Sequence, residues 1–336
     1  MRLIFFDLEG PLSPQDNAYE VMGLIPDGHR LFEVLSRYDD LLTLEGREEY
    51  EPGDTLRLIV PFLVRHGITA DDVRRVSNRT GLVPGAADLM ARLGSEGWEV
   101  SVVSTSYEQH ATNIGAKLGL PMAAIHCTRI AFDHLRARLT QKHLGQVAAM
   151  ETTILRELYS DDLSSGSKDE LIRKHLDPFY WGAGLAEVLF GPGSDVTVVG
   201  GRRKAWAMEA VARSRGVSLR EAAFVGDSIT DIQGARLIES LGGLAIAFNG
   251  NAFILPHVTA AVAATRLDSV YPVLEAWGSG GRAGAKRMIA EAPKRSQDDG
   301  PHFHWMVGSE EARLNEVIAL HKVFRGRMRE AAAKLG

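Results

Sequence analysis

The sequence predicts a doubly wound α/β fold, with a mostly parallel sheet covered by helices on both faces. Two observations predict it: short apolar runs alternate with helical patterns, and the polar clusters follow those runs directly. Strands are expected at 3–6, 100–103, 196–199 and 222–225, with a fifth at 244–248 ending in Asn249-Gly250-Asn251. Between them, 86–94, 108–118, 204–215 and 231–241 carry helical spacing. Such alternation builds parallel strands joined by helical crossovers, and their ligands sit at the carboxyl ends of the strands.

Two stretches break the alternation. Residues 12–82 read as helices, clearest at 28–44 and 54–66, and 133–193 does so again, with helices at 146–159 and 168–175 and a Ser-rich turn at 161–167. The expected division is a core of 1–12, 82–132 and 195–277, a helical cap at 13–81, a helical insert at 133–194, and a tail at 278–336. In the tail, 279–301 is rich in Gly, Lys, Arg and Ser and reads as a linker. A last amphipathic helix, 309–335, offers Leu314, Val317, Ile318 and Leu320 as an apolar face for the body or for a second subunit, so a homo-oligomer is one expectation.

Composition narrows the classes. A chain of 336 residues has material for more than one module, and 45% hydrophobic with 24% charged residues is ordinary for a globular protein. A formal net charge of -5 lacks the basic excess of a nucleic-acid surface. Cys127 is the only cysteine, which excludes an internal disulfide and argues against a thiolate metal cluster. The chain reaches Asp7 without a signal-like apolar stretch, and no run approaches the roughly 18–20 apolar residues of a bilayer span. The expectation is a cytoplasmic protein with neither membrane nor nucleic-acid partners.

The chemistry lies in four clusters. In Phe5-Phe6-Asp7-Leu8-Glu9-Gly10, two acids one residue apart end an apolar strand and face one small volume. Crowded carboxylates are unfavourable unless a cation or a shared proton relieves them, although a solvated strand end before a turn remains open. Val225-Gly226-Asp227-Ser228-Ile229-Thr230-Asp231 repeats the pattern. Ser228 and Asp231 can be explained as helix capping, whereas Asp227 cannot. Oxygen ligands gathered this way suit magnesium. Ser104, Thr105 and Ser106 close another strand. Ser104 can donate to a phosphate oxygen beside free turn N–H groups, with a plain helix N-cap the simpler account of the cluster taken alone. Lys204, opening a helix after Gly200-Gly201-Arg202-Arg203, can hold a phosphate and offset the acids, although a lysine at a helix start is usually solvated surface.

Taken in order, Asp7-x-Glu9-Gly10, then Ser104, then Lys204, then Gly226-Asp227-Ser228-x-x-Asp231 resemble the four motifs of the haloacid dehalogenase superfamily. A helical cap after the first strand and Ala247-Phe248-Asn249-Gly250 after the fourth motif resemble its phosphoserine phosphatase-like branch. The resemblance covers the core segments and implies a Rossmann-like sheet. It departs from most phosphatases of the family in having Glu9 for Asp and Pro11 for Thr or Val. The Asp-Leu-Glu-Gly start also resembles phosphoserine:homoserine phosphotransferases.

The resemblance implies a magnesium-dependent hydrolase, a phosphatase of a small phosphorylated metabolite. Asp7 would be the nucleophile that becomes an aspartyl-phosphate, and Glu9 the acid and base. Asp7, the carbonyl of Glu9, Asp227 and Asp231 would bind magnesium, and Ser104, Thr105 and Lys204 the phosphate. The alternatives are transfer of the phosphoryl group to an alcohol and a catalytically silent binding protein. Lesser candidates have simpler explanations: His302 and His304 as a polar loop, Arg47 and Arg57 as surface salt bridges, Trp98 and Trp206 as packing.

Overall fold

The computed structural model describes residues 2–159, 165–182, 185–191, 193–296 and 299–333. Among them, eight strands form one sheet: β1 (Arg2–Phe6), β2 (Trp98–Tyr107), β3 (Ile125–Ile130), β4 (Val196–Thr197), β5 (Ala222–Gly226), β6 (Leu244–Phe248), β7 (Ala260–Ala263) and β8 (His302–Trp305). Their order is β4-β3-β2-β1-β5-β6-β7-β8. The strands from β3 to β7 run parallel, while β4 and β8 close the two edges antiparallel.

The sheet is apolar on both faces because helices cover both. Leu3, Ile4, Phe5 and Phe6 are all fully buried, so β1 is a continuous apolar run rather than an alternating one. Successive side chains still part by face. Ile4 and Phe6 pack with Val102 and Val225, while Leu3 and Phe5 pack with Val103 and Phe224. The chain leaves β1 toward β2 on one side and β5 on the other, so β1 marks the switch point where such sheets open a crevice. Phe6 pairs with Val102 on β2 and with Val225 on β5. The residues that follow on these strands therefore emerge level with one another.

The two helical stretches do not behave as separate modules. Leu31, Leu35 and Tyr38 from the first share one core with Leu176 and Tyr180 from the second. Polar contacts reinforce it: Arg37 Nε donates to Asp169 Oδ1 at 2.9 Å, and the Tyr38 hydroxyl donates to Asp177 Oδ1 at 2.5 Å.

Several expectations need correction. Residues 279–301 are not a linker: the helix Tyr271–Glu291 runs through most of them, broken only at Gly281, whose φ is 58°. Trp277, Ala285 and Ile289 are buried in the core, which outweighs a glycine-rich composition. The expected strand at 196–199 is a two-residue edge pair with β3, not a parallel core strand. Residues 54–66 form two short helices, Thr55–Leu58 and Val60–Arg65, with Pro61 at the start of the second. The helix Gln141–Thr153 continues as a wider turn, Ile154–Leu158. Of the turn expected at 161–167, residues 161–164 lie outside the described residues and 165–167 open the helix Ser165–Trp181.

The last helix, Glu311–Ala333, spends its apolar face on the body: Val317 is buried and Leu314 and Ile318 pack against the same cluster. The end of the expected helix, 334–335, lies outside the described residues. Among the described residues, no helix is long and apolar enough to cross a membrane.

Candidate active site

Asp7 follows the last residue of β1, and its N–H donates to the Val225 carbonyl at 2.8 Å, extending the sheet pairing by one residue. That bond holds Asp7 beside Asp227, which follows β5. Both are 4% exposed, and Asp231 is fully buried. One carboxylate oxygen from each of the three lies within 4.8 Å of the others. Gly10 makes the approach close: its φ is 96°, and a Cβ there would stand 2.5 Å from the Asp227 carboxyl carbon.

Lys204 offsets this charge from below. It rises from the helix Arg202–Arg215 with no exposed surface, and its Nζ lies 2.8 Å from Asp7 Oδ1 and 2.6 Å from Asp231 Oδ1. Burial works against its charge, but Asp231 and then Asp7 outweigh that and raise its pKa above the ordinary lysine value. Asp231 also caps its own helix start. Its Oδ2 accepts from the N–H groups of Asp227 at 2.9 Å and Ser228 at 3.0 Å, so the capping and charged roles coexist.

Burial above all, then the neighbouring Asp231, pushes Asp7 up to about 8, with Lys204 pulling the other way. Glu9 is likewise pushed up to about 8, by burial first and by Asp16 second. Its Oε1 accepts from the Ser106 hydroxyl at 2.5 Å and from the Asn17 N–H at 3.0 Å. Ser106 sits where the pairing of β2 with β3 becomes irregular, between Ser104 and Tyr107. Such irregularities re-aim side chains beside active sites.

Asp7, Glu9, Thr105, Ser106 and Asp227 line a cavity of about 310 Å³, with Asp16, Phe32 and Asp39 on the cap side. Ser104 is fully buried, and its Oγ accepts the Ser106 N–H at 3.0 Å. The Thr105 hydroxyl donates to the Val199 carbonyl at 3.1 Å.

Over its full length the chain is similar to gene product AF1437 from Archaeoglobus fulgidus. The two share 30% identity at a TM-score of 0.82, with 100% of this chain and 99% of that one covered. The chain belongs to one family with that archaeal protein. A phosphoserine phosphatase holding a phospho-aspartyl intermediate analogue aligns at 18% identity and a TM-score of 0.51, over 80% of this chain and 97% of that one. A probable phosphoserine phosphatase from Vibrio cholerae aligns at 17% identity and a TM-score of 0.50, over 87% of this chain and 67% of that one. The fold is thus that of these phosphoserine phosphatases. No family model and no curated protein matches the chain.

On this core, two site residues are not legible in the sequence, for different reasons. Ser106 was part of a recognised hydroxyl cluster, but nothing in the sequence aimed it at Glu9. Arg325, in the helix Glu311–Ala333, lies 2.8 Å from Asp227 Oδ2 and lines the cavity with Met328. It is remote in sequence from the motifs, and no local pattern announces it.

The lesser candidates lie elsewhere. Arg47 pairs with Asp177 at 3.2 Å and Arg57 with Asp54 at 3.6 Å, and neither lines the cavity. His302 and His304 belong to β8 rather than to a polar loop. Trp98 is buried beside Trp277, but Trp206 is 60% exposed, so it is not a packing residue.

Proposed function

We propose that this chain is a magnesium-dependent phosphatase acting on a small phosphomonoester through a phosphorylated Asp7. The observation that supports it is the cluster of Asp7, Asp227 and Asp231, three buried carboxylates within 4.8 Å, of which Asp7 and Asp227 line the cavity together with Glu9. A hard divalent cation suits a donor set made wholly of carboxylate oxygens, and Asp7, Asp227 and the Glu9 carbonyl are assigned to hold it, with Asp231 behind. Once bound, magnesium would neutralise the carboxylates against a dianionic phosphate.

The chain's own residues account for the remaining steps. An Asp7 oxygen attacks phosphorus while the bond to the ester oxygen breaks. Glu9, held protonated near neutral pH by its burial, gives its proton to the departing alkoxide. The carboxylate left behind takes a proton from the water that then attacks phosphorus and frees Asp7. Ser106 and the Asn17 N–H orient Glu9 for both transfers. Lys204 balances Asp7 and Asp231; Thr105 borders the cavity where the phosphate would lie, with its hydroxyl donated to the Val199 carbonyl, whereas Ser104 is fully buried outside the lining of that cavity.

A panel of small phosphomonoesters, assayed for phosphate release with magnesium and with EDTA, tests the reading. Release should require the metal and vanish in Asp7→Asn. Wild-type turnover by Asp7→Asn, or turnover indifferent to EDTA, would overturn it. Added alcohols identify the acceptor: a phosphorylated alcohol in place of free phosphate would mark a transferase.

A further inference from the structure

The helix Glu311–Ala333 is foreign to the four motifs, yet it delivers a cation to their centre. Arg325 Nη1 lies 2.8 Å from Asp227 Oδ2 and donates to the Asp227 backbone carbonyl at 2.9 Å. It thus grips the same carboxylate that stands beside Asp7 and Asp231 in the three-acid cluster. A guanidinium cannot shed its charge at any working pH, so it and a divalent cation repel each other when they share one carboxylate. The backbone beneath it is anchored. His321 and Phe324, on the turn before, are 0% and 1% exposed, and Met328 on the turn after is 8% exposed. The Arg325 side chain itself is 22% exposed and borders the cavity, so it can swing while its helix stays in place.

A phosphoryl group is the natural second partner for such a side chain. The guanidinium presents a planar fork of donors matched to phosphate oxygens. We propose that Arg325 is a phosphate-binding residue held on Asp227 until metal and phosphate arrive, so that the two bind cooperatively. The proposal rests on the phosphatase reading of the site. Arg325 leaves Asp227 when a divalent cation takes that carboxylate, and turns to the phosphate oxygens. Bound phosphate, by keeping the guanidinium away from Asp227, favours the metal. By linkage the metal favours phosphate to the same degree.

The test is a titration of the full chain with Mn²⁺, followed by electron paramagnetic resonance, with and without inorganic phosphate. In the wild type, saturating phosphate should tighten Mn²⁺ binding by about 5-fold or more, the usual scale of coupling between two sites. Arg325→Gln should bind Mn²⁺ more tightly than the wild type without phosphate, and should lose the enhancement with it. Arg325→Lys, which keeps a cation but not the fork, should retain the wild-type Mn²⁺ affinity and lose most of the enhancement. Thermal melting checks that both variants are folded, and the wild-type titration needs no variant at all. Unchanged Mn²⁺ affinity in Arg325→Gln, an enhancement that survives there, or none in the wild type overturns the proposal. A wild type that binds no Mn²⁺ removes the phosphatase reading as well. Normal Mn²⁺ binding without the Arg325 effect removes this inference alone.

Discussion

Lys204 keeps a full charge where it has no exposed surface, and it can do so because Asp7 and Asp231 stand 2.8 and 2.6 Å from its ammonium. The arrangement is a balance of buried charges, and breaking one side of such a balance costs more than the intact set contributes. Lys204→Met should therefore lower stability by roughly 3–5 kcal/mol in a urea titration. The same variant should recover part of that loss when magnesium is added, because the cation would relieve the stranded carboxylates. A loss under about 1 kcal/mol would mean that Asp7 and Asp231 are not held close in solution. At this scale the sequence was informative about chemistry and mute about direction. Acids and a lysine at strand ends were readable, whereas the aim of Ser106 at Glu9 depends on an irregular pairing of β2 with β3 that no residue type announces.

The start of the helix Arg202–Arg215 is tied to the cap by two residues beside Lys204. Arg203 reaches Asp54 with two nitrogens, at 2.6 and 3.0 Å, and the Arg202 N–H donates to Glu51 Oε2 at 2.9 Å. Gly200 lets the cap come this near, since a Cβ there would lie 2.1 Å from the Pro52 carbonyl. The turn carrying Glu51 and Asp54 thus fixes the cap over the site, with the fork of Arg203 on a fully buried Asp54 as its strongest contact. Asp54→Ala should cost roughly 3 kcal/mol in denaturant unfolding and raise KM more than it lowers kcat. Adding Arg203→Ala should recover part of the loss, since the double variant leaves that cation no longer stranded. Strict additivity of the two changes would show that the contact contributes nothing. Elements were legible where apolar periodicity was strong, as in β1, β2, β5 and β6. They were missed where other forces set them. β3 interleaves His126, Thr128 and Arg129 with its apolar residues, and β7 is built largely of alanine, a weak strand former that works only between β6 and β8.

At the scale of the molecule, the tail completes both the sheet and the cavity. Its docking buries His321 with no hydrogen-bond partner for either ring nitrogen among the described residues, next to His304 at a ring separation of 5.8 Å. Burial pushes His304 down to about 4 and His321 well below the usual histidine value, and it takes His110, under the cap, to about 3. These rings bind protons less readily folded than unfolded. Their contribution is complete above about pH 6.5 and is lost as pH falls toward the folded values. Asp7 and Glu9, raised to about 8, act in the opposite sense, so the informative quantity is a difference between proteins. His321→Phe should lose less stability than the wild type between pH 7 and pH 5, by about 1.4 kcal/mol for each pH unit below about 6.5. Parallel pH profiles of the two proteins would show that His321 titrates freely.

The sequence alone determined the α/β class, the central strands and the positions of the acids, because these follow from local periodicity and from residue types at strand ends. Only the tertiary structure decided that two distant helical stretches share one core and that a stretch read as a linker is a buried helix. It alone decided that an arginine near the end of the chain rests on Asp227. Each of these depends on contacts between segments far apart in the chain, where burial and charge are set by neighbours that no window of adjacent residues contains.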